Sequence, residues 1–370
     1  MQIALLEKSL KPWCDDVIAR GWSTKLPFEG EESECIGGDM GGGLEDFRVY
    51  EIPAYSACGE GEHVYLHVQK RGKTSFDVLR AIELAFSVKE SEIGYAGMKD
   101  KHAITRQWFS VPYAGDPRAA IEKLSEDADI EVLEHSRHSN KIRVGHLSAN
   151  RFELRLYGVW GSDRAITARC DALSRRGFIN YFGKQRFGRD GANVASGLDA
   201  LRGKRRLKHK ELKFVISALQ SAVFNLSAGM RLELFGDELF EGDVLQKRGG
   251  GCFICTEPSV DQERARAGEV VLTGALPGKK LMTAAGVGQR IESFSAQKLG
   301  LNWPEDAGDG LSLSSMGKMA MGCRRPIWEQ AQDLSWTRLD ESSITVSFTL
   351  SSGSYATVLM RQLCGQSFGR

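Results

Sequence analysis

Gly94-Tyr95-Ala96-Gly97-Met98-Lys99-Asp100-Lys101-His102-Ala103-Ile104-Thr105-Arg106-Gln107-Trp108 is the chain's densest concentration of chemistry. Two glycines, two aromatic rings (Tyr95 and Trp108), one carboxylate and four cationic or protonatable groups (Lys99, Lys101, His102, Arg106) share fifteen positions. Glycine lets the backbone turn tightly, and cations flanking Asp100 favour its ionised form as a nucleophile. Taken alone, the stretch also fits a solvated turn leading into a strand at Trp108.

Two further clusters lie outward from it. Asn180-Tyr181-Phe182-Gly183-Lys184-Gln185-Arg186-Phe187-Gly188 sets an amide, aromatic rings and cations around two glycines. Rings beside cations suit a protein that stacks an extruded base while holding its phosphates, although a packed turn with Lys184 and Arg186 exposed accounts for the same residues. His138-Ser139-Asn140-Lys141, with Gly145 to Phe152, supplies polar donors ahead of a strand.

Apolar periodicity predicts strands at Phe47 to Ile52, Val64 to Val68, Trp108 to Val111, Phe152 to Leu156 and Ile344 to Leu350. It predicts helices at Phe76 to Phe86 with Ser75 as N-cap, Ile166 to Arg176 closed by Gly177, Glu211 to Phe235, and Ser354 to Leu363. Strands and crossing helices at both ends of the chain read as α+β. The middle has a different texture, with long helices and glycine-rich loops, and reads as an inserted domain. The run Gly37-Gly38-Asp39-Met40-Gly41-Gly42-Gly43 reads as a flexible entry unable to form a stable helix or strand, so order is expected from about Leu44.

Lys plus Arg is 49 against 48 for Asp plus Glu, so net charge neither indicates nor excludes a polyanionic partner. A local basic face still acts within a Debye length, and Lys204 to Lys210 is the densest cationic run. With no apolar run of eighteen residues and no signal-peptide pattern at Met1 to Lys8, no membrane association is expected, and a cytoplasmic location is. The eight cysteines are scattered and read as free thiols. Cys252 and Cys255 form a CxxC without a second pair and sit on an expected short strand, so no metal site is expected. His135 and His138 read as surface or RNA-facing groups. Arg71-Gly72-Lys73-Thr74 lacks the glycine that a phosphate loop needs, having His67 there, and GxGxxG after a strand, GxSxG and HExxH are all absent.

In order along the chain, the clusters resemble the TruD family of tRNA pseudouridine synthases. Gly94 to Trp108 resembles the family signature and Asn180 to Gly188 its second block. Glu45-Asp46-Phe47-Arg48-Val49, Gly59 to His63, Arg137 to Phe152, Ser221 to Asn225, Gly242-Asp243, Gly274 to Gly278, and Gly353 to Thr357 with Arg361 extend the resemblance to residues 44–365. It implies an α+β pseudouridine synthase catalytic domain with a mainly antiparallel mixed sheet flanked by helices. That domain would span 44–200 and 326–370, interrupted by an inserted α/β domain at 201–325, with 1–43 a poorly patterned N-terminal segment.

The resemblance also implies roles. Asp100 matches the catalytic aspartate, Asn180 the amide that positions it, and Phe182 the ring that stacks on the target base, while Tyr355 falls where relatives often line the pocket with phenylalanine. Lys99, His102, Lys141, Gln185 and Arg186 are expected at the RNA. Relatives commonly carry a basic residue shortly before Glu45-Asp46-Phe47, where this chain has Met40-Gly41-Gly42-Gly43, so Arg48 or Lys70 is expected to supply that cation. The implied reaction is isomerisation of uridine to pseudouridine, usually at position 13 of certain tRNAs, by a monomer without cofactor. Two other readings explain parts of the sequence: an RNA-binding or RNA-folding protein of the same fold, and a metal-dependent nuclease, for which Asp100 and Asp190 are thin support.

Overall fold

The structure, a computed structural model, describes Leu26, residues 34–303 and 311–365, and Phe368. The chain first forms β1 (Gly37–Met40), β2 (Phe47–Pro53), β3 (His63–Arg71), α1 (Ser75–Phe86), β4 (Gly94–Tyr95), β5 (Ile104–Pro112), α2 (Arg118–Leu124), β6 (Ile130–His138), β7 (Leu147–Val159) and α3 (Asp163–Arg176). It continues through β8 (Phe178–Ile179), α4 (Lys184–Phe187), α5 (Ala192–Leu201), α6 (His209–Phe235), β9 (Val244–Lys247), β10 (Cys252–Ile254), α7 (Pro258–Arg266), β11 (Val270–Leu276), α8 (Gly286–Lys298), β12 (Cys323–Pro326) and β13 (Trp328–Glu329). The last elements are β14 (Gln332–Arg338), β15 (Ser343–Ser351) and α9 (Ala356–Cys364).

Two compact units emerge. One comprises Glu34–Arg176, Gln330–Ala356 and Leu363–Arg370; the other holds Gly177–Glu329 and Thr357–Gln362. The first is a nine-stranded sheet in the order β14-β15-β7-β2-β5-β3-β6, with β1 added on β7 and β4 on β5. Every pairing is antiparallel except β2 with β5, so this is the mixed, mainly antiparallel sheet of an α+β protein.

Its core follows from alternation. Val64, Leu66 and Val68 of β3 and Phe109 and Val111 of β5 point to one face, where they meet Val78, Leu79, Ile82 and Phe86 of α1. Truncating one such residue, Leu79→Ala for example, costs about 2–5 kcal/mol. Thr74, rather than Ser75, caps α1: Asp77 N donates to Thr74 Oγ1 at 3.1 Å while Thr74 N donates to Asp77 Oδ2 at 2.7 Å, a reciprocal capping box. Ser75 thereby keeps its hydroxyl for another use.

Residues 37–40, expected to be unstructured, form a strand. The thirteen-residue β7 outruns β2, whose pairing ends at Leu154, and β1 covers the remaining edge with Gly37 opposite Val159 and Met40 opposite Leu156. The two glycines permit this close approach: φ is +69° at Gly37 and +88° at Gly38, and a Cβ at Gly38 would lie 2.8 Å from Val159 Cγ2. His138, expected at the surface, is buried, stacked on Tyr65 with ring centroids 4.9 Å apart.

The second unit is built on α6, buried without a break from Ala218 to Leu232. It packs against α5, α8 and β11, the centre of a four-stranded antiparallel sheet ordered β10-β9-β11-β12. Residues 177–200 lie in this unit because β8 pairs with β13 and α5 packs on α6. Two ion pairs are sealed inside, Arg231 with Asp243 at 2.6 Å and Arg324 with Glu292 at 2.7 Å, each held through two guanidinium nitrogens.

Candidate active site

In the first unit, the signature stretch runs from β4 through a loop, residues 96–103, into β5. The loop is tied down along its length. Gly145 N donates to the Ala96 carbonyl at 2.8 Å, the Gln107 amide to the Gly97 carbonyl, and Gly72 N to the Ala103 carbonyl at 3.3 Å. Lys99 N donates to Ser75 Oγ at 2.9 Å, the hydroxyl that Thr74 leaves free by capping α1. Within this anchored loop the Asp100 residue is exposed.

Two lysines flank that residue from beneath. Lys70, on β3, is 2% exposed, and its Nζ donates to the main-chain carbonyls of Asp100 and Lys73, both at 2.6 Å. Burial pulls its amine down to about 8, opposed by the charges of Asp100 and Asp77. Lys99 turns inward: its side chain is 6% exposed, with Nζ 3.0 Å from Glu51 Oε2 and donating to Asn150 Oδ1 at 2.6 Å. Glu51 is itself buried and accepts from Trp108 N at 3.2 Å. Lys99 thus anchors the loop to β2 and β7, where the sequence had suggested a contact with RNA. Of the two candidates for the missing cation, Arg48 pairs with Glu45 and Lys70 reaches Asp100.

The second cluster forms its own constellation. Asn180, 2% exposed, has its N–H bonded to the Ile327 carbonyl at 2.8 Å and its Nδ2 to the Pro326 carbonyl at 3.2 Å. Arg325, on β12, donates through Nε to the Asn180 carbonyl at 3.0 Å and through Nη2 to Asn180 Oδ1. The Arg325 guanidinium also lies 4.2 Å from the centroid of the Phe182 ring. Phe182 is held by its backbone, its N donating to Asn225 Oδ1 at 2.8 Å and its carbonyl accepting from Asn225 Nδ2 at 3.0 Å. Its ring meets Phe224 edge-on, centroids 5.7 Å apart. Gly274, opposite Arg325 across β11 and β12, makes room for Phe224: a Cβ there would lie 2.9 Å from that ring.

Comparison with known proteins bears on both halves of the chain. The family model described as tRNA pseudouridine synthase D (TruD) matches residues 30–196 and 192–363. The chain belongs to the TruD family. A tRNA pseudouridine synthase D from Anaeromyxobacter sp. (strain Fw109-5) is 39% identical over 92% of this chain and 96% of its own length. One from Thermus thermophilus is 36% identical over 92% of each chain. A Methanosarcina mazei chain, titled as a TruD crystal structure, superposes with a TM-score of 0.72 over 96% of this chain and 99% of that one; at 19% identity it speaks to the fold.

Of the residues singled out in this TruD-family sequence, Asp100, Lys99, His102, Lys141 and Tyr355 lie in the first unit, and Asn180, Phe182, Gln185 and Arg186 in the second. His102 and Gln185 are exposed, and Tyr355 is half-buried just before α9. Lys141 Nζ donates to the Ser91 carbonyl at 2.6 Å, and the Arg186 guanidinium lies 5.5 Å from the Phe182 ring. Arg325 and Glu51 were missed. Arg325 stands 145 positions from Asn180, and the antiparallel β8–β13 pairing, with Ile179 opposite Trp328, brings the two segments together. Glu51 reads as an ordinary strand residue until Lys99 is seen beside it.

Proposed function

We propose that this chain isomerises uridine to pseudouridine in tRNA, with position 13 as its target and Asp100 as its catalytic carboxylate. The observation that carries this reading is an exposed Asp100 on a loop tied down by its neighbours, in a chain of the TruD family. The reaction breaks N1–C1′, turns the base and joins C5 to C1′; N1 gains a proton and C5 loses one. Electrons balance without an oxidant or reductant. One carboxylate suffices, either by bonding transiently to the ribose or base or by taking a sugar proton. A loop anchored at several points keeps such a group oriented through the change of base position.

The target uridine has to leave its stack, at a cost of a few kcal/mol, offset by stacking on an aromatic ring worth about 1–3 kcal/mol. Phe182 is the ring proposed for this, and Tyr355 is proposed as a further contact to the substrate. Exposed Lys184 and half-exposed Arg186 are the proposed phosphate contacts beside it. The test is tritium release from tRNA labelled at uridine C5, since C5 must lose its hydrogen when it bonds to C1′. Release with pseudouridine at position 13 is expected, and tight tRNA binding without release would turn the reading toward an RNA-binding protein.

A further inference from the structure

We propose that Arg325 is a positioning residue that commits Asn180 to act as a hydrogen-bond donor. This rests on the proposed pseudouridine synthase activity and adds to it a residue in which sequence reasoning saw no role.

The assignment follows from what each group can do. A guanidinium has five donors and no acceptor, so the Asn180 side-chain atom facing Arg325 Nη2 is the oxygen. A carbonyl only accepts, so the atom facing the Pro326 carbonyl at 3.2 Å is the amide nitrogen. Both neighbours therefore impose the same orientation on an amide that is otherwise free to flip by half a turn. Arg325 Nε fixes the Asn180 main chain as well, through the 3.0 Å bond to its carbonyl. The guanidinium plane on the Phe182 ring, at 4.2 Å, links this lock to the aromatic group two residues on.

One hydrogen remains. The Asn180 amide has two N–H groups, and one is satisfied by Pro326; the other has no partner among the described residues although the residue is 2% exposed. A buried unpaired donor is costly and calls for a functional reason. With its oxygen held by Arg325, Asn180 can offer only that N–H, so what it presents to a bound RNA is a hydrogen-bond donor. A neutral or absent group at 325 would leave only the Pro326 carbonyl to orient the amide, so that it could flip and present its oxygen in place of the donor.

The experiment uses the full chain with unmodified tRNA and measures single-turnover rate and tRNA affinity separately. Asn180→Ala, Arg325→Met, Arg325→Lys and the Arg325→Met/Asn180→Ala double variant are compared, with thermal unfolding of each. Arg325→Met is expected to slow the single-turnover step by about tenfold to a hundredfold, the range of a lost charge-assisted hydrogen bond, with tRNA affinity within about twofold of wild type. The double variant should be no slower than its slower parent, because both substitutions remove the same donor. Arg325→Lys, which keeps a donor-only group, should recover part of the rate, and it stands in if Arg325→Met does not fold. Additive losses, an unchanged rate, or weaker tRNA binding at full rate would each overturn the role of Arg325. A wild-type protein that forms no pseudouridine would instead remove the activity on which the inference rests.

Discussion

The buried Nζ of Lys70 donates to the main-chain carbonyl of Asp100 at 2.6 Å, so a cation from the C-terminal end of β3 supports the residue proposed to do the chemistry. The same amine holds the Lys73 carbonyl, at the end of the turn before α1. Replacing it with methionine preserves bulk and removes both bonds. We expect Lys70→Met to retain its fold and tRNA affinity and to lose about one to two orders of magnitude in rate, as for a hydrogen bond to a charged group worth about 1.5–3 kcal/mol. A single-turnover rate within about twofold of wild type would show that the contact does not organise the loop.

Lys70 also sets a pH dependence. Its folded value, about 8, lies below that of an ordinary lysine because of burial. Below pH 8 both folded and unfolded chains carry the proton, and the folded chain bears the whole cost of the buried charge. Between about 8 and the ordinary lysine value of about 10.4 the unfolded chain binds more protons, so Lys70's contribution to stability rises with pH. The stability of wild type relative to Lys70→Met, from urea unfolding, should therefore increase from pH 7 to pH 9.5. A constant difference would mean that the amine is not depressed.

Glu51 and Lys99 are a pair that should not be broken singly. Their side chains are 1% and 6% exposed, and removing one leaves an uncompensated charge in the protein interior. Glu51→Ala is expected to destabilise the fold by about 3–5 kcal/mol, read as a fall in the denaturant midpoint. A loss below about 1 kcal/mol would indicate that the pair is reached by water.

Charge reversal at Lys184 and Arg186 tests the proposed RNA path. Each cation that meets a phosphate contributes roughly 0.9 to the slope of log affinity against log salt on a duplex, and roughly 0.7 on a single strand. The double reversal should weaken tRNA binding and flatten that slope. Unchanged binding would place the phosphate contacts elsewhere.

Much of this architecture was legible where local rules dominate. The alternation of Val64, Leu66 and Val68 marks β3, the spacing of Val78, Leu79, Ile82 and Phe86 marks α1, and both appear where periodicity puts them. The strand at Gly37–Met40 was hidden because its cause lies in the uncovered edge of β7, more than a hundred residues away. The candidate functional residues divide likewise. Asp100, Asn180 and Phe182 stand in dense motifs, whereas Glu51 and Arg325 act through side chains brought in by sheet register, which no local pattern encodes. Lys99 misled for the opposite reason: a lysine beside the aspartate proposed as catalytic looks like a substrate contact, and its burial against Glu51 shows only in three dimensions.

The most direct measurement is pseudouridine mapping on unmodified tRNA incubated with the wild-type chain and with Asp100→Asn, without added metal or nucleotide. Pseudouridine at position 13 is expected with wild type, none with Asp100→Asn, and equal tRNA binding by both. Pseudouridine formed at an undiminished rate by Asp100→Asn would contradict a catalytic role for Asp100.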